Sequence, residues 1–166
     1  MLNINYIRKL DKKISLIYRN YTAKVNIVQL IKIRDICREK KQEFYLSNNI
    51  NLAIKLKLNG IYIPSFNKKI IKKKIPDKNF IILGSAHNVH EIKIKERQGA
   101  QIIFLSPLFK STTKNKALGI NKFNILRSYT KKKVVALGGI NENNIKKLKM
   151  TNTCGFASIS YIKKKF

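Results

Sequence analysis

The sequence predicts an α/β fold built on a parallel sheet. Near-continuously apolar runs of strand length recur along the chain, polar stretches with helical spacing separate them, and the runs end on small, polar or glycine residues. Strands without alternation are those buried on both faces, and intervening helices supply the cover. A closed (β/α)8 barrel and an open doubly wound sheet both fit, and both bind ligands beyond the carboxyl ends of their strands.

ISLIYRN (Ile14–Asn20) reads as the first strand. The amphipathic stretch from Ala23 to Lys41 follows, with Ile27, Leu30, Ile31, Arg34 and Ile36 near one helical stripe. EFYLSN (Glu43–Asn48) is a second strand, and NLAIKLKLN a short helix stopped at Gly60, a C-cap residue by type. GIYIPS (Gly60–Ser65) and FIILGSAH (Phe80–His87) are the third and fourth strands, separated by a Lys-rich loop with Pro76. VHEIKIKERQG (Val89–Gly99) is a helix that stops on glycine, and AQIIFLSPLF (Ala100–Phe109) a strand that Pro107 ends. After the polar loop KSTTKNKALG, Lys122 to Tyr129 reads as helix and VVALGGI (Val134–Ile140) as the sixth strand. Asn141 then caps a helix containing Asn144 and Ile145, and GFASISYI (Gly155–Ile162) reads as the seventh strand and a final turn.

Composition narrows the function classes. A chain of 166 residues, 44% hydrophobic, reads as a single domain over 1–166 with a real core. No apolar run is long enough for a membrane span, and MLNINYIRKLDKK lacks a signal-peptide core. Cys37 and Cys154 stand apart with no ligand neighbours, as ordinary thiols of a reducing cytoplasm. The net charge of +28 invites a nucleic-acid partner. Thirty of the 36 basic residues are Lys, however, scattered in runs without interleaved aromatics. Groove readers and phosphate clamps favour Arg, and single-strand binders need stacking rings, so specific nucleic-acid binding is not expected. Lys, Asn and Ile together make 75 residues, the mark of an A/T-rich coding bias.

The pair Gly138-Gly139 at the end of VVALGGI admits two readings. Without Cβ atoms the backbone can either reverse direction or bring N–H groups against an anion. Alone, the stretch favours the plain turn.

The ordered segments GSAHNVHEIKIKERQGAQIIFLSPLFKSTTKNKALG, VVALGGINENNIKKL and GFASISYI resemble the thiamine phosphate synthase/TenI family. That family's pattern has a Ser-x-His strand end, a strand running to G-P-V-F-x-T-x-T-K, a strand ending A-x-G-G-I, and then G-V-A-x-x-S. The match spans about Leu83 to Ile162, with a weaker alignment from ISLIYRN onward. The resemblance implies a (β/α)8 TIM barrel, here without the family's first strand, whose open edge a second copy would cover. It implies a cytoplasmic transferase of thiamine biosynthesis, joining a thiazole phosphate to a pyrimidine methyl pyrophosphate with loss of pyrophosphate and help from Mg²⁺. The other reading is a non-catalytic binder of the thiazole phosphate.

Carried over residue by residue, the resemblance gives the thiazole phosphate to Gly138, Gly139, Ile159 and Ser160. Lys114, with Ser111 and Thr113, matches the Thr-x-Thr-Lys loop, and Lys114 and Ser85 take the catalytic positions. His87 reads as a helix-entry residue; His87 and His90 lack a third metal ligand. Arg19 matches a pyrophosphate-binding Arg, with Ile17 where Gln and Tyr21 where Lys is expected. Asn48 is retained as a substrate contact, while Asn49 and Asn67 stand at the two Mg²⁺-binding Asp positions, and no acid is expected at a strand's carboxyl end. Asn is a neutral, weak ligand, so no metal site is expected. Pro107 occupies the position of the TenI branch's catalytic His.

Overall fold

The computed structural model describes residues 4–21, 25–72, 75, 77–110, 116–159 and 161–162. The chain divides into two compact units, one formed by Met1–Tyr62 with Lys73–Ile81, the other by Ile63–Lys72 with Ile82–Lys165.

In the first unit, α1 (Ile4–Lys9) and β1 (Leu16–Tyr18) lead into α2 (Ile27–Glu39), β2 (Phe44–Ser47), α3 (Ile50–Lys55) and β3 (Gly60–Ile63). The strands run parallel, Leu16 beside Phe44 and Tyr45 beside Gly60. Every residue of β2 and of β3 is buried, which is why neither shows polar alternation. Asn26 caps α2, its side chain accepting from Gln29 N–H. The buried face of α2 is Leu30, Ile33, Ile36 and Cys37, and full burial of Leu30 or Ile33 stabilises by about 2 kcal/mol each. Burial pushes the Cys37 thiol up to about 11, with Lys40 pulling it back, so Cys37 is an inert core residue.

Two expectations are corrected here. Helix α1 occupies INYIRK, a stretch read above as no element. It packs on α2, and Lys40 holds its end by donating from Nζ to the carbonyls of Ile7, Arg8 and Leu10. Gly60 is not a helix cap: α3 ends at Lys55, and Gly60 opens β3, where a Cβ would stand 1.9 Å from Ile81 O. The glycine is needed for a close backbone approach instead.

In the second unit, β4 (Ile81–Ala86), α4 (Val89–Arg97), β5 (Ile102–Leu105), α5 (Gly119–Ser128), β6 (Lys133–Leu137), a 3-10 helix (Ile145–Met150) and β7 (Gly155–Ala157) follow in order. The strands pair parallel in sequence, with Leu83 beside Ile102, Ile103 beside Val134 and Val135 beside Gly155. Asn88 caps α4, and Gly99, at φ +82°, ends it as the sequence suggests. Ile92, Ile103, Leu105, Phe123, Val134 and Ala136 form the core. The helix expected after β6 is the 3-10 turn beginning at Ile145. Asn141 does not cap it, its side chain bonding Asn143 N–H and Gly139 O instead. Among the described residues no helix is long and apolar enough to cross a membrane.

Candidate functional site

At the carboxyl ends of the first unit's strands, Arg19 follows β1 and is exposed. Its guanidinium lies 5.5 Å from the centroid of the Tyr21 ring and 5.8 Å from that of Tyr62, cation–π contacts that orient its fork. Tyr21 is anchored in turn, its hydroxyl 2.7 Å from Ser47 Oγ at the end of β2. Asn48, next in the chain, takes φ +60° and gives its N–H to Tyr62 O at 2.9 Å. The structure therefore brings Arg19 and Asn48 to neighbouring strand ends. It adds Tyr21, Ser47 and Tyr62, of which only Tyr21 stood out in the sequence, as a departure from the resembled pattern.

The second unit carries the glycine pair. Gly138 and Gly139 have φ +97° and +68°, conformations that side chains rarely adopt. Space forbids a side chain as well: a Cβ on Gly138 would lie 2.8 Å from Pro107 Cα, and one on Gly139 2.3 Å from Lys110 O. The turn's carbonyls are all engaged. Leu137 O accepts from Leu108 N–H and Gly138 O from Phe109 N–H. Gly139 O accepts from Asn144 and Asn141 side-chain amides at 2.8 and 3.3 Å, and Ile140 O from Ser158 Oγ at 3.0 Å. The turn and loop hydrogen bonds among the described residues include none donated by Gly138 or Gly139 N–H. A turn with bound carbonyls and open amides presents positive potential, the property of an anion seat. Close packing on residues 107–110 requires both glycines of VVALGGI.

Ser158 ties the loop after β7 to the loop after β6, and Tyr161 N–H donates back to Ser158 Oγ. The sequence places Ser158 at a strand's polar carboxyl end but gives it no contact of its own. Ile159 beside it is exposed. Ser160, Ser111, Thr113 and Lys114 lie outside the described residues.

Ser85 is buried on β4. His87, two residues on, places Nδ1 2.7 Å from Ser106 O and 3.2 Å from Ser106 Oγ. A carbonyl only accepts, so Nδ1 is the donor in this contact. His87 N–H donates to Glu91 Oε2 at 2.7 Å. This corrects the expectation that no acid reaches a strand's carboxyl end: Glu91, from the first turn of α4, folds back to the end of β4. Glu142 also follows Asn141 in the loop after β6.

The residues at the expected metal positions do not fit Mg²⁺. Asn49 caps α3, its Oδ1 accepting from Leu52 N–H at 3.1 Å, and Asn67 Oδ1 accepts from Lys69 N–H at 2.9 Å. Both are neutral amides aimed by local bonds, where Mg²⁺ calls for a carboxylate. Among the described residues no three His, Cys, Asp or Glu side chains cluster as a metal would need.

Residues 10–162 match the family model described as thiamine monophosphate synthase. The thiamine-phosphate synthase of Methanococcus vannielii is 33% identical over 133 residues, covering 79% of this chain and 65% of that protein. The thiamine-phosphate synthase of Methanococcus maripaludis is 29% identical over 133 residues, covering 79% of this chain and 64% of its own. The chain thus spans just under two thirds of the length of these relatives. In three dimensions it is similar to a thiamine phosphate pyrophosphorylase from Pyrococcus furiosus, with TM-score 0.71 and 19% identity over 97% of this chain and 84% of that one. That likeness shows the fold, a TIM-barrel-like parallel α/β architecture.

Proposed function

The chain belongs to the thiamine monophosphate synthase family, and from that premise we propose that it joins a thiazole phosphate to a pyrimidine methyl pyrophosphate. In that reaction the thiazole nitrogen bonds to the pyrimidine methylene carbon as the bond from that carbon to the pyrophosphate oxygen breaks. The pyrophosphate leaves with the electron pair. The observation that carries the reading is the Gly138-Gly139 turn, whose carbonyls are bound and whose amides are open at the carboxyl end of β6. Two such amides, supported by the Ser158-tethered loop that bears Ile159 and Ser160, suit a phosphate monoester.

The remaining roles follow from charge. Arg19, oriented over two rings, is the contact for pyrophosphate, with Asn48 beside it. Lys114, flanked by Ser111 and Thr113, offsets the negative charge that grows on the leaving group. Ser85 offers a hydroxyl to the pyrimidine. No step is routed through a divalent ion, because Asn49 and Asn67 do not fit one. The protein acts in the cytoplasm, as one domain that associates with its own kind, and without a specific nucleic-acid partner.

One observation favours a second reading, a non-catalytic binder of the thiazole phosphate. Asn49 and Asn67 are committed to local structure while the phosphate turn is intact. Product analysis separates the two. Purified protein, both substrates and Mg²⁺ are incubated and thiamine phosphate is followed by mass spectrometry, beside a Lys114→Ala control. Product that disappears in the control is the expected result. Folded protein that makes none leaves the binder.

A further inference from the structure

Lys95, on α4, is fully buried, with 0% of its surface exposed. Its Nζ donates to Pro64 O at 2.8 Å, to Asn67 O at 2.7 Å and to Gln98 Oε1 at 2.9 Å. Three acceptors use the three donors of an ammonium, and none of them is a carboxylate. Gln98, itself buried, extends the grip by donating from Nε2 to Asn67 O at 3.0 Å and to Lys69 O at 2.8 Å.

The fold makes room for this cation. Gly84 on β4 lies under the lysine stem, where an added Cβ would stand 2.9 to 3.0 Å from Lys95 Cβ, Cγ and Cδ. A strand buried on both faces gives up a side chain to admit a charge, and a buried charge is costly unless its bonds are complete. Burial pushes the Lys95 ammonium down to about 8, against the pull of Glu91, the charged group that acts on it. What the ammonium holds is the segment that follows β3. That segment is internally hydrogen-bonded as well, Asn67 N–H to Pro64 O at 3.1 Å and Lys69 N–H to Asn67 Oδ1 at 2.9 Å.

We propose that Lys95, assisted by Gln98, is the positioning residue of the loop 64–69, an internal cation that fixes the loop's carbonyls at the carboxyl end of β3. Converging carbonyl oxygens are what a hard metal ion would otherwise organise. Here an ammonium tethered to α4 occupies that role, and the loop needs no divalent ion. The importance of the loop rests on the proposed function, since ligands of this fold sit at strand ends. The test reads the loop itself without substrate, so failure of one idea is distinguishable from failure of the other.

Hydrogen exchange of the intact chain, read by mass spectrometry and corrected for intrinsic rates, is the experiment. Lys95→Met keeps the stem's volume and removes the charge. The expected result is a loss of protection of about tenfold or more at the Asn67 and Lys69 amides, with the Ile103 and Leu105 ladder amides unchanged. Millimolar Mg²⁺ leaves the loop unchanged in both. If Lys95→Met does not fold, Gln98→Leu, which keeps the lysine, gives a smaller loss at the same amides. Unaltered loop protection in the variant, or protection that Mg²⁺ raises, would each overturn the proposal.

Discussion

Gly139 holds a left-handed conformation, and a Cβ there would meet Lys110 O at 2.3 Å and Phe109 O at 2.4 Å. Gly139→Ala therefore costs more than the ~1–2 kcal/mol of the dihedral alone, a loss that urea denaturation measures. If the turn seats a phosphate monoester as proposed, the substitution lowers that affinity by at least about tenfold, because relief of the clash turns the amide away. Lys95 makes a prediction of opposite kind. Its ammonium lies lower in the folded chain, at about 8, than its ordinary value of 10.5, so between those values the unfolded chain binds the extra proton. Stability contributed by this group therefore rises as pH climbs from about 8 toward 10.5. Thermal midpoints of the unsubstituted chain should gain on those of Lys95→Met over that window, and parallel curves would contradict the assignment. Little of this was legible beforehand. The glycine pair announced a turn, but Asn144 and Ser158, which bind its carbonyls, are set by tertiary structure. Lys95 is one of thirty lysines, and nothing in its local sequence marks it as buried.

The strands were legible because burial on both faces leaves an apolar run, as in FYLS of β2 and GIYI of β3. Helices α2 and α4 were legible through spacing and, for α4, its terminal glycine. Helix α1 was not, since six residues carry no readable stripe and no helix of that length stands alone in water. Its end is secured by Lys40, about thirty positions along the chain. Lys40→Met removes donors from the carbonyls of Ile7, Arg8 and Leu10 and should destabilise the protein by about 1–3 kcal/mol. The change should appear in denaturant midpoints, and increased exchange should be confined to α1 and its contacts with α2. Gly60 was misread for a related reason: a glycine that permits close approach looks, in sequence, like one that ends a helix.

Among the described residues, several cations are met by backbone oxygen rather than by carboxylates. Two ion pairs occur among the described residues, Arg34–Asp35 and Lys93–Glu96. Lys40, Arg38, Lys95 and Arg127 instead donate to carbonyls at helix and loop ends. Such bonds hold structure without reducing the net charge of +28. Self-repulsion therefore opposes the compact state, and salt should relieve it. Raising ionic strength from low to physiological should raise the melting temperature, whereas a fold built on ion pairs would lose stability.

That same charge draws any anion weakly, so the proposed phosphate seat at Gly138-Gly139 must be told apart from the field around it. The direct measurement is a calorimetric titration with the thiazole phosphate and with its unphosphorylated alcohol, each at low and at high salt with chelator present. The account predicts that the phosphate ester binds more tightly than the alcohol by at least about tenfold and that most of the difference survives high salt, as a shaped seat of backbone amides requires. Equal affinities, or a preference that salt abolishes, would mean that Gly138 and Gly139 form only a turn.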